Sequence, residues 1–185
     1  LFVSSVWGTD RTLSGANQWS DFANSDPIAD ADLAMRTVRR GTGQKPNTLF
    51  IGQIRWEKLK EHPLVLDKYK YTQVGVMTPQ LVAAVLDVGE IIIGDSVENT
   101  AAEGATYVGA DIWTDNALFT VRNNPGLGVL NACNALIWPE GGAYPWAVQP
   151  YRDDHARGNV QRVFNHVVFK VVASTAGYML LDLAA

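Results

Sequence analysis

Several features that mark common protein classes are scarce or missing in this sequence of 185 residues. Cys133 is its single cysteine, so no disulfide can form within the chain and a disulfide-stapled scaffold is excluded. No apolar run approaches the roughly 18 residues of a membrane-spanning helix, and no signal-peptide pattern is present. The sequence therefore predicts neither a membrane partner nor a secreted disulfide framework.

Charged residues are also few, and they show no basic excess. They make up 18% of the chain, below the roughly one quarter that is typical of globular domains. The 15 basic and 19 acidic residues give a net charge of −4, which argues against a surface that reads nucleic acid. Six Trp, six Tyr and six Phe accompany this low charge. The composition fits a subunit that buries surface against neighbours, and a core-rich enzyme would share it.

The clearest local pattern is a helix predicted over residues 27–40. Asp26 is a good N-cap, and Pro27 at the first helical position loses no hydrogen bond because that N–H would be unpaired. Gly41 is expected to end the helix. Apolar residues recur on one face, and the charges suit the helix dipole. The apolar residues are Ile28, Ala31, Met35 and Val38; the charges are Asp26, Asp30 and Asp32 near the start and Arg36, Arg39 and Arg40 near the end.

Short strands and helices follow. Residues 48–51 are predicted as a buried strand, and Gln53–Glu61 as a helix that ends at His62, because a residue before proline avoids helical geometry. A further helix is predicted from Thr78 and Pro79. Other strands are predicted within 90–97, 117–121, 160–172 and 178–183. This order lacks the regular alternation of a doubly wound sheet and predicts an α+β fold.

The order of these pieces resembles a known family. PNTLFIG, a helix containing Trp56, and LKEHPLVLDKYKY are similar to the peripheral domain of tailed-phage major capsid proteins of the Hong Kong 97 type. The likeness continues through TPQLVAAVLDVGEIIIGDSVENTAAEG, ALFTVR and AGYMLLDL and covers most of the chain.

The resemblance implies an α+β capsid fold with a spine helix, here residues 27–40, a peripheral domain and an axial domain. The implied division is residues 1–25 as the end of an extended loop, 26–75 as the peripheral domain, 76–150 as the axial domain, and 151–185 as strands that return to the peripheral domain. The N-terminal arm and most of the extended loop are expected to be absent from this sequence.

The function that the resemblance implies is structural. The chain would be a major capsid protein that assembles with itself into hexamers and pentamers of an icosahedral shell, enclosing double-stranded phage DNA without sequence-specific binding. It would belong to the virion after assembly in the host cytoplasm, with scaffolding, portal and decoration proteins as further partners. No enzymatic activity, metal or cofactor is expected. The candidate interface residues are Asp26, Asp30, Arg36, Arg39, Arg40, Trp138, Tyr144 and Trp146.

Two other functions stay open. An encapsulin-like nanocompartment shell shares this fold and would hold protein cargo. A small α+β metal-dependent enzyme would use the adjacent residues Asp153, Asp154 and His155. Neighbouring residues on an extended chain point to opposite faces, so a polar turn is the favoured interpretation there. The isolated Cys133 is interpreted as a small buried apolar residue.

Residues 123–159 contain four prolines and little periodicity, so they are interpreted as a loop system. Aromatic residues in this segment argue against disorder. We expect them to order it by packing, in part against a neighbouring subunit. They are Trp138, Tyr144, Trp146 and Tyr151.

Overall fold

The computed structural model describes residues 6–70, 78–113, 115–123, 130–138, 147–155, 157–164 and 166–184. These residues form a mixed α+β structure, as predicted, and they divide into two compact units. The smaller unit is Cys133–Val172, and the larger unit comprises the described residues before and after it.

The helices and strands are numbered in chain order. Those of the larger unit are β1 (Asp10–Thr12), α1 (Pro27–Thr42), β2 (Thr48–Gly52), α2 (Gln53–Glu61), α3 (Pro63–Tyr69), α4 (Pro79–Val85), β3 (Glu90–Gly94), β4 (Val97–Asn99), β5 (Gly109–Asp111), β6 (Ala117–Thr120) and β11 (Gly177–Leu181). Short 3-10 turns lie at Gly15–Asn17 and Ser174–Ala176. The smaller unit contains β7 (Cys133–Trp138), β8 (Ala147–Asp153), β9 (Gly158–Phe164) and β10 (His166–Val171).

A five-stranded sheet with the order β1-β11-β6-β2-β3 forms the centre of the larger unit. β1 is parallel to β11 and β3 is parallel to β2, whereas β6 is antiparallel to both of its neighbours. Phe119 of β6 lies opposite Leu49 on one side and Tyr178 on the other. The sheet therefore joins segments from the beginning, the middle and the end of the chain in one layer.

The central strands are buried on both faces. All of β6 is buried, Leu49 and Ile51 of β2 have no exposed surface, and Met179 and Leu180 of β11 are equally enclosed. A strand covered on both faces needs no polar alternation. This explains why ALFT and GYMLL read as continuous apolar runs and not as alternating strands.

Two indole rings pack directly against glycines of the sheet. A methyl group on Gly177 would overlap the ring of Trp7, and one on Gly94 would overlap the ring of Trp113. Trp113 also stacks on Phe50, with ring centroids 6.4 Å apart and planes inclined by 12°. Glycine at these two strand positions is therefore a requirement of close packing.

Helix α1 extends beyond its predicted end at residue 40. Asp26 caps its start as predicted, but the expectation that Gly41 ends the helix is wrong. Gly43 ends it instead, with φ of +77°, and its N–H donates to the Arg39 carbonyl oxygen at 2.8 Å. Glycine inside a helix costs only about 1 kcal/mol, so Gly41 is tolerated, whereas the left-handed cap needs the freedom of Gly43.

Helix α2 has the predicted bounds and leads directly into α3, for which the sequence pattern predicts no helix. His62 is the C-cap of α2 and the N-cap of α3, and its ring nitrogen Nδ1 accepts the Leu64 N–H at 3.3 Å. Trp56 and Leu59 are the buried residues of α2, and Ile54 is 48% exposed. The predicted helix at residues 79 onward is α4.

The smaller unit contains two antiparallel pairs, β8 with β9 and β7 with β10. Residues 123–159 were expected to be loops, but they include β7 and β8. Pro150 lies within β8, where the edge of a two-stranded sheet tolerates proline. Residues 160–172 were expected to be one strand, but they contribute to two strands with different partners. A run of β-branched residues does not specify where the chain changes partner.

The predicted domain division stays a prediction. The edges of the smaller unit, at residues 133 and 172, do not coincide with the predicted boundaries near 75 and 150. The central sheet takes β3 and β6 from within 76–150, and it takes β1 from the segment interpreted as the end of an extended loop.

Candidate functional site

Helix α1 has one buried face and one exposed face. Ala31, Ala34, Met35 and Val38 are buried and face the sheet, since α1 contacts β11, β6 and the turn at Ser174–Ala176. The opposite side carries Leu33, Arg36, Arg39 and Arg40, all exposed, together with Asp32. Ile28 is half-buried at the margin. The predicted amphipathic pattern is confirmed, and it leaves the three arginines on the outside of the helix.

The predicted interface residues of α1 differ in their availability. Asp26 Oδ1 accepts the N–H groups of Ile28 and Ala29 at 3.1 and 3.0 Å and serves as the N-cap. Arg36 pairs with Asp32 at 3.7 Å, and both side chains are more than half exposed. Arg39 and Arg40 form no ion pair with the described residues. These two arginines are therefore the most available cations of the helix.

Asp30 lies inside the protein and holds three segments together. Its Oδ1 accepts Nη1 of Arg11 at 2.6 Å, and its Oδ2 accepts Nε1 of Trp19 at 3.1 Å. The Asp30 side chain is 9% exposed, that of Arg11 is 38% exposed, and Trp19 is buried. Charge-assisted bonds to both carboxylate oxygens satisfy a group that would be costly to bury alone.

Sequence reasoning missed this role of Asp30, although a signal was present. In helical projection Asp30 falls next to Ala34, on the side that carries the apolar residues. An acid on the apolar side of a helix needs a buried partner. The identity of that partner, 19 residues away at Arg11, could not be read from the helix itself.

A surface depression of about 400 Å³ lies beside the Asp30 network. Its lining includes Arg11, Asn17, Asn24, Leu33 and Arg36. The depression therefore lies between the loop that follows β1 and the exposed face of α1.

Tyr178 of β11 lies in the electrostatic field of the same network. Burial raises the pKa of its phenol, and the carboxylates of Asp30 and Asp10 act in the same direction, whereas Arg11 opposes them. Tyr178 is 4% exposed, and its phenol stays neutral at physiological pH.

His62, which contacts Ser25 just before α1, has no exposed surface. Its Nε2 is 3.0 Å from Ser25 Oγ, and Ser25 Oγ donates to the Asp21 carbonyl oxygen at 2.7 Å. Because Nδ1 accepts the Leu64 N–H, the proton lies on Nε2 and the ring is neutral. Burial lowers the pKa of His62, against an opposing contribution from Asp26.

The aromatic interface candidates lie largely outside the described residues. Tyr144 and Trp146 belong to the segment that is not described, and of Trp138 only its backbone position at the end of β7 is given. Tyr151 is described and is 50% exposed.

Asp153, Asp154 and His155 occupy the end of β8 and the turn that follows. Asp153 Oδ1 accepts the backbone N–H of His155 at 2.9 Å, and Asp154 Oδ1 accepts Arg152 Nε at 3.1 Å. Among the described residues no group of three His, Cys, Asp or Glu side chains is placed to hold a metal ion. None of the described helices has the length and apolar character required to cross a bilayer.

Comparison with known proteins shows which proteins the chain resembles. No protein-family model matches the chain. The chain is 29% identical over 109 residues to the major capsid protein of Burkholderia phage BcepMu, and 29% identical over 118 residues to that of Pseudomonas phage JBD67. Both relatives are phage major capsid proteins. The matches cover 59% and 63% of this chain but only 34% and 37% of the relatives.

A solved structure resembles nearly the whole fold. It is a phage-related protein from Bordetella bronchiseptica, matched with a TM-score of 0.77 and 24% identity over 95% of this chain and 56% of that protein. The predicted resemblance to bacteriophage capsid proteins is confirmed by the two sequence relatives, and the solved structure adds a likeness in fold. Capsid proteins are structural, so the comparisons agree with the prediction that the chain is not an enzyme.

The Asp30 network generates a stability prediction. Asp30→Ala leaves the donors of Arg11 and Trp19 without their acceptor, and we expect the free energy of unfolding to fall by about 2–3 kcal/mol. Asp32→Ala, two residues away in an exposed pair, should cost about 1 kcal/mol or less. Chemical denaturation of both variants measures the difference. Equal effects of the two substitutions would contradict the structural role of Asp30.

The enclosed histidine predicts acid sensitivity. The pKa of His62 is lower in the folded protein than in the unfolded chain, so its contribution to stability is present above the ordinary value of about 6.5 and is lost as the pH falls below it. His62→Asn keeps a capping acceptor and removes the titration, so it should flatten the dependence of unfolding free energy on pH between about 7 and 5. His155→Asn, the same substitution at an exposed turn, serves as the matched control. An unaltered slope in His62→Asn would refute the assignment.

Proposed function

We propose that this chain is a bacteriophage major capsid protein of the Hong Kong 97 type. It assembles with itself into hexamers and pentamers of an icosahedral shell around double-stranded DNA. The similarity to two phage major capsid proteins carries this proposal. The subunit would reside in the virion, after assembly in the host cytoplasm. Scaffolding, portal and decoration proteins would be its further partners.

The distribution of charge in the larger unit supports such a role. α1 buries one face against the sheet and presents Arg36, Arg39 and Arg40 on the other. Arginine is enriched at protein interfaces because its planar guanidinium is weakly hydrated and binds carboxylates with two parallel hydrogen bonds. In this proposal α1 is the spine helix, and its arginines contact acidic or polar groups of adjacent subunits.

The negative net charge supports enclosure of DNA without recognition of its sequence. With 19 acidic and 15 basic residues the chain offers no general excess of cations to replace the counterions of a DNA backbone. A shell that surrounds a packaged genome needs no such excess, because the enclosed DNA is held by the closed surface and not by contacts to its bases.

Electron microscopy of the purified protein tests the function. We expect closed particles of regular size, since a subunit with repeated contacts between identical surfaces forms closed symmetric assemblies. Particles produced in cells and containing nucleic acid would support a phage head. Particles containing protein would favour an encapsulin-like shell instead, and a protein that stays monomeric at every concentration would contradict assembly.

The exposed arginines predict a separation between folding and assembly. Arg36→Glu with Arg39→Glu should change the melting temperature little, because exposed pairs contribute only about 0–1 kcal/mol. Particle yield should fall strongly, since like charges across an interface are unfavourable and a shell repeats each contact many times. Lys68→Glu with Lys70→Glu makes the same charge change at the end of α3 and serves as the control. Normal particle yield from the α1 variant would remove α1 from the interface.

A further inference from the structure

Strands β4 and β5 form a hairpin that is a separate two-stranded sheet. Val97 lies opposite Asp111, and Asn99 lies opposite Gly109. The hairpin is extended by bonds from the Thr100 N–H to the Val108 carbonyl at 2.9 Å and from the Ile112 N–H to the Ser96 carbonyl at 3.0 Å. We call residues 95–112 the acidic hairpin.

Both faces of the acidic hairpin expose apolar side chains. On one face Val97 is 59% exposed and Tyr107, whose ring lies over Gly109, is 63% exposed. On the other face Val108 and Ile112 are 54% and 52% exposed. A two-stranded hairpin with no packed face is only marginally stable in water. Clustered apolar side chains on such an element mark a contact surface.

The charge of the hairpin is of one sign. It contains four carboxylates and no lysine or arginine. None of the four forms an ion pair with the described residues. They are Asp95, Glu98, Glu103 and Asp111. A partner for this hairpin must therefore offer cations next to an apolar contact, and two such hairpins would repel each other.

The exposed face of α1 has this composition. In helical projection Ala29, Leu33, Arg36 and Arg40 fall in one narrow stripe, with Arg39 beside it. Leu33 is 41% exposed, and Arg39 and Arg40 have no ion-pair partner among the described residues. The lysines of α2 and α3 match less well, because lysine is depleted at interfaces and arginine is enriched there.

We propose that the acidic hairpin of one subunit docks on the exposed face of α1 in a second copy of the chain. Val97 and Tyr107 cover Leu33. Asp95 and Asp111, which strand alternation places on the same face as these two residues, pair with Arg39 and Arg40. This inference rests on the proposed self-assembly and names the two surfaces that meet.

Reciprocal charge reversal tests the contact. One variant carries Asp95→Lys with Asp111→Lys, and a second carries Arg39→Glu with Arg40→Glu. In each variant alone the substituted positions face residues of the same charge across the proposed contact, so self-association measured by sedimentation velocity should weaken roughly tenfold or more. An equimolar mixture restores opposite charges at both contacts and should recover the association of the parent. This recovery is specific to a contact between copies.

Two further measurements make the outcome decisive. Glu57→Lys with Glu61→Lys on α2 has the same net charge as the hairpin variant and should associate as the parent does, and thermal melts of all variants should be similar. If the parent associates and the reversed variants associate equally well, or if the mixture fails to recover, the hairpin contact is overturned and self-assembly stands. If the parent remains monomeric at every concentration, both proposals are overturned.

Discussion

The Asp30 carboxylate joins three segments that the chain itself keeps apart. It accepts a guanidinium hydrogen from β1, an indole hydrogen from the loop that follows, and belongs to the first turn of α1. Because both of its oxygens accept hydrogen bonds, the carboxylate can be buried on the apolar side of the helix without being left unpaired. Arg11 and Trp19 thereby fix the segment before the helix. This contact joins β1 and the loop that follows it to the start of α1, while the buried apolar residues of α1 pack against the sheet.

That arrangement gives α1 two separate duties. Its alanines, Met35 and Val38 stabilise the fold through burial, while its arginines contribute little to the stability of one subunit because they lie in water. Substitutions on the two faces should accordingly act on different properties of the protein. In the proposed assembly, substitutions on the exposed face would change contacts between subunits without altering the fold.

Local signals in the sequence were sufficient where a single residue determines an element boundary. Asp26 and Pro27 start α1, and His62 before proline ends α2, as predicted. Prediction failed where two residues compete or where partners are distant. Gly41 and Gly43 are both plausible caps, and only the backbone conformation distinguishes them. Likewise Arg11 as the partner of Asp30, and the separate pairing of β9 and β10, depend on tertiary contacts that no local periodicity records.

The smaller unit is inserted into the sequence of the larger unit between Ala132 and Ala173. The N–H of Ala173 donates to the carbonyl oxygen of Ala132 at 3.3 Å. The two residues of the larger unit that flank the insertion are therefore neighbours in space. The entropy lost on closing a loop grows only logarithmically with its length. Pairing of β6 with β11 is consequently insensitive to how many residues are inserted between them. We therefore expect the sheet to keep its register when the inserted unit is longer or shorter.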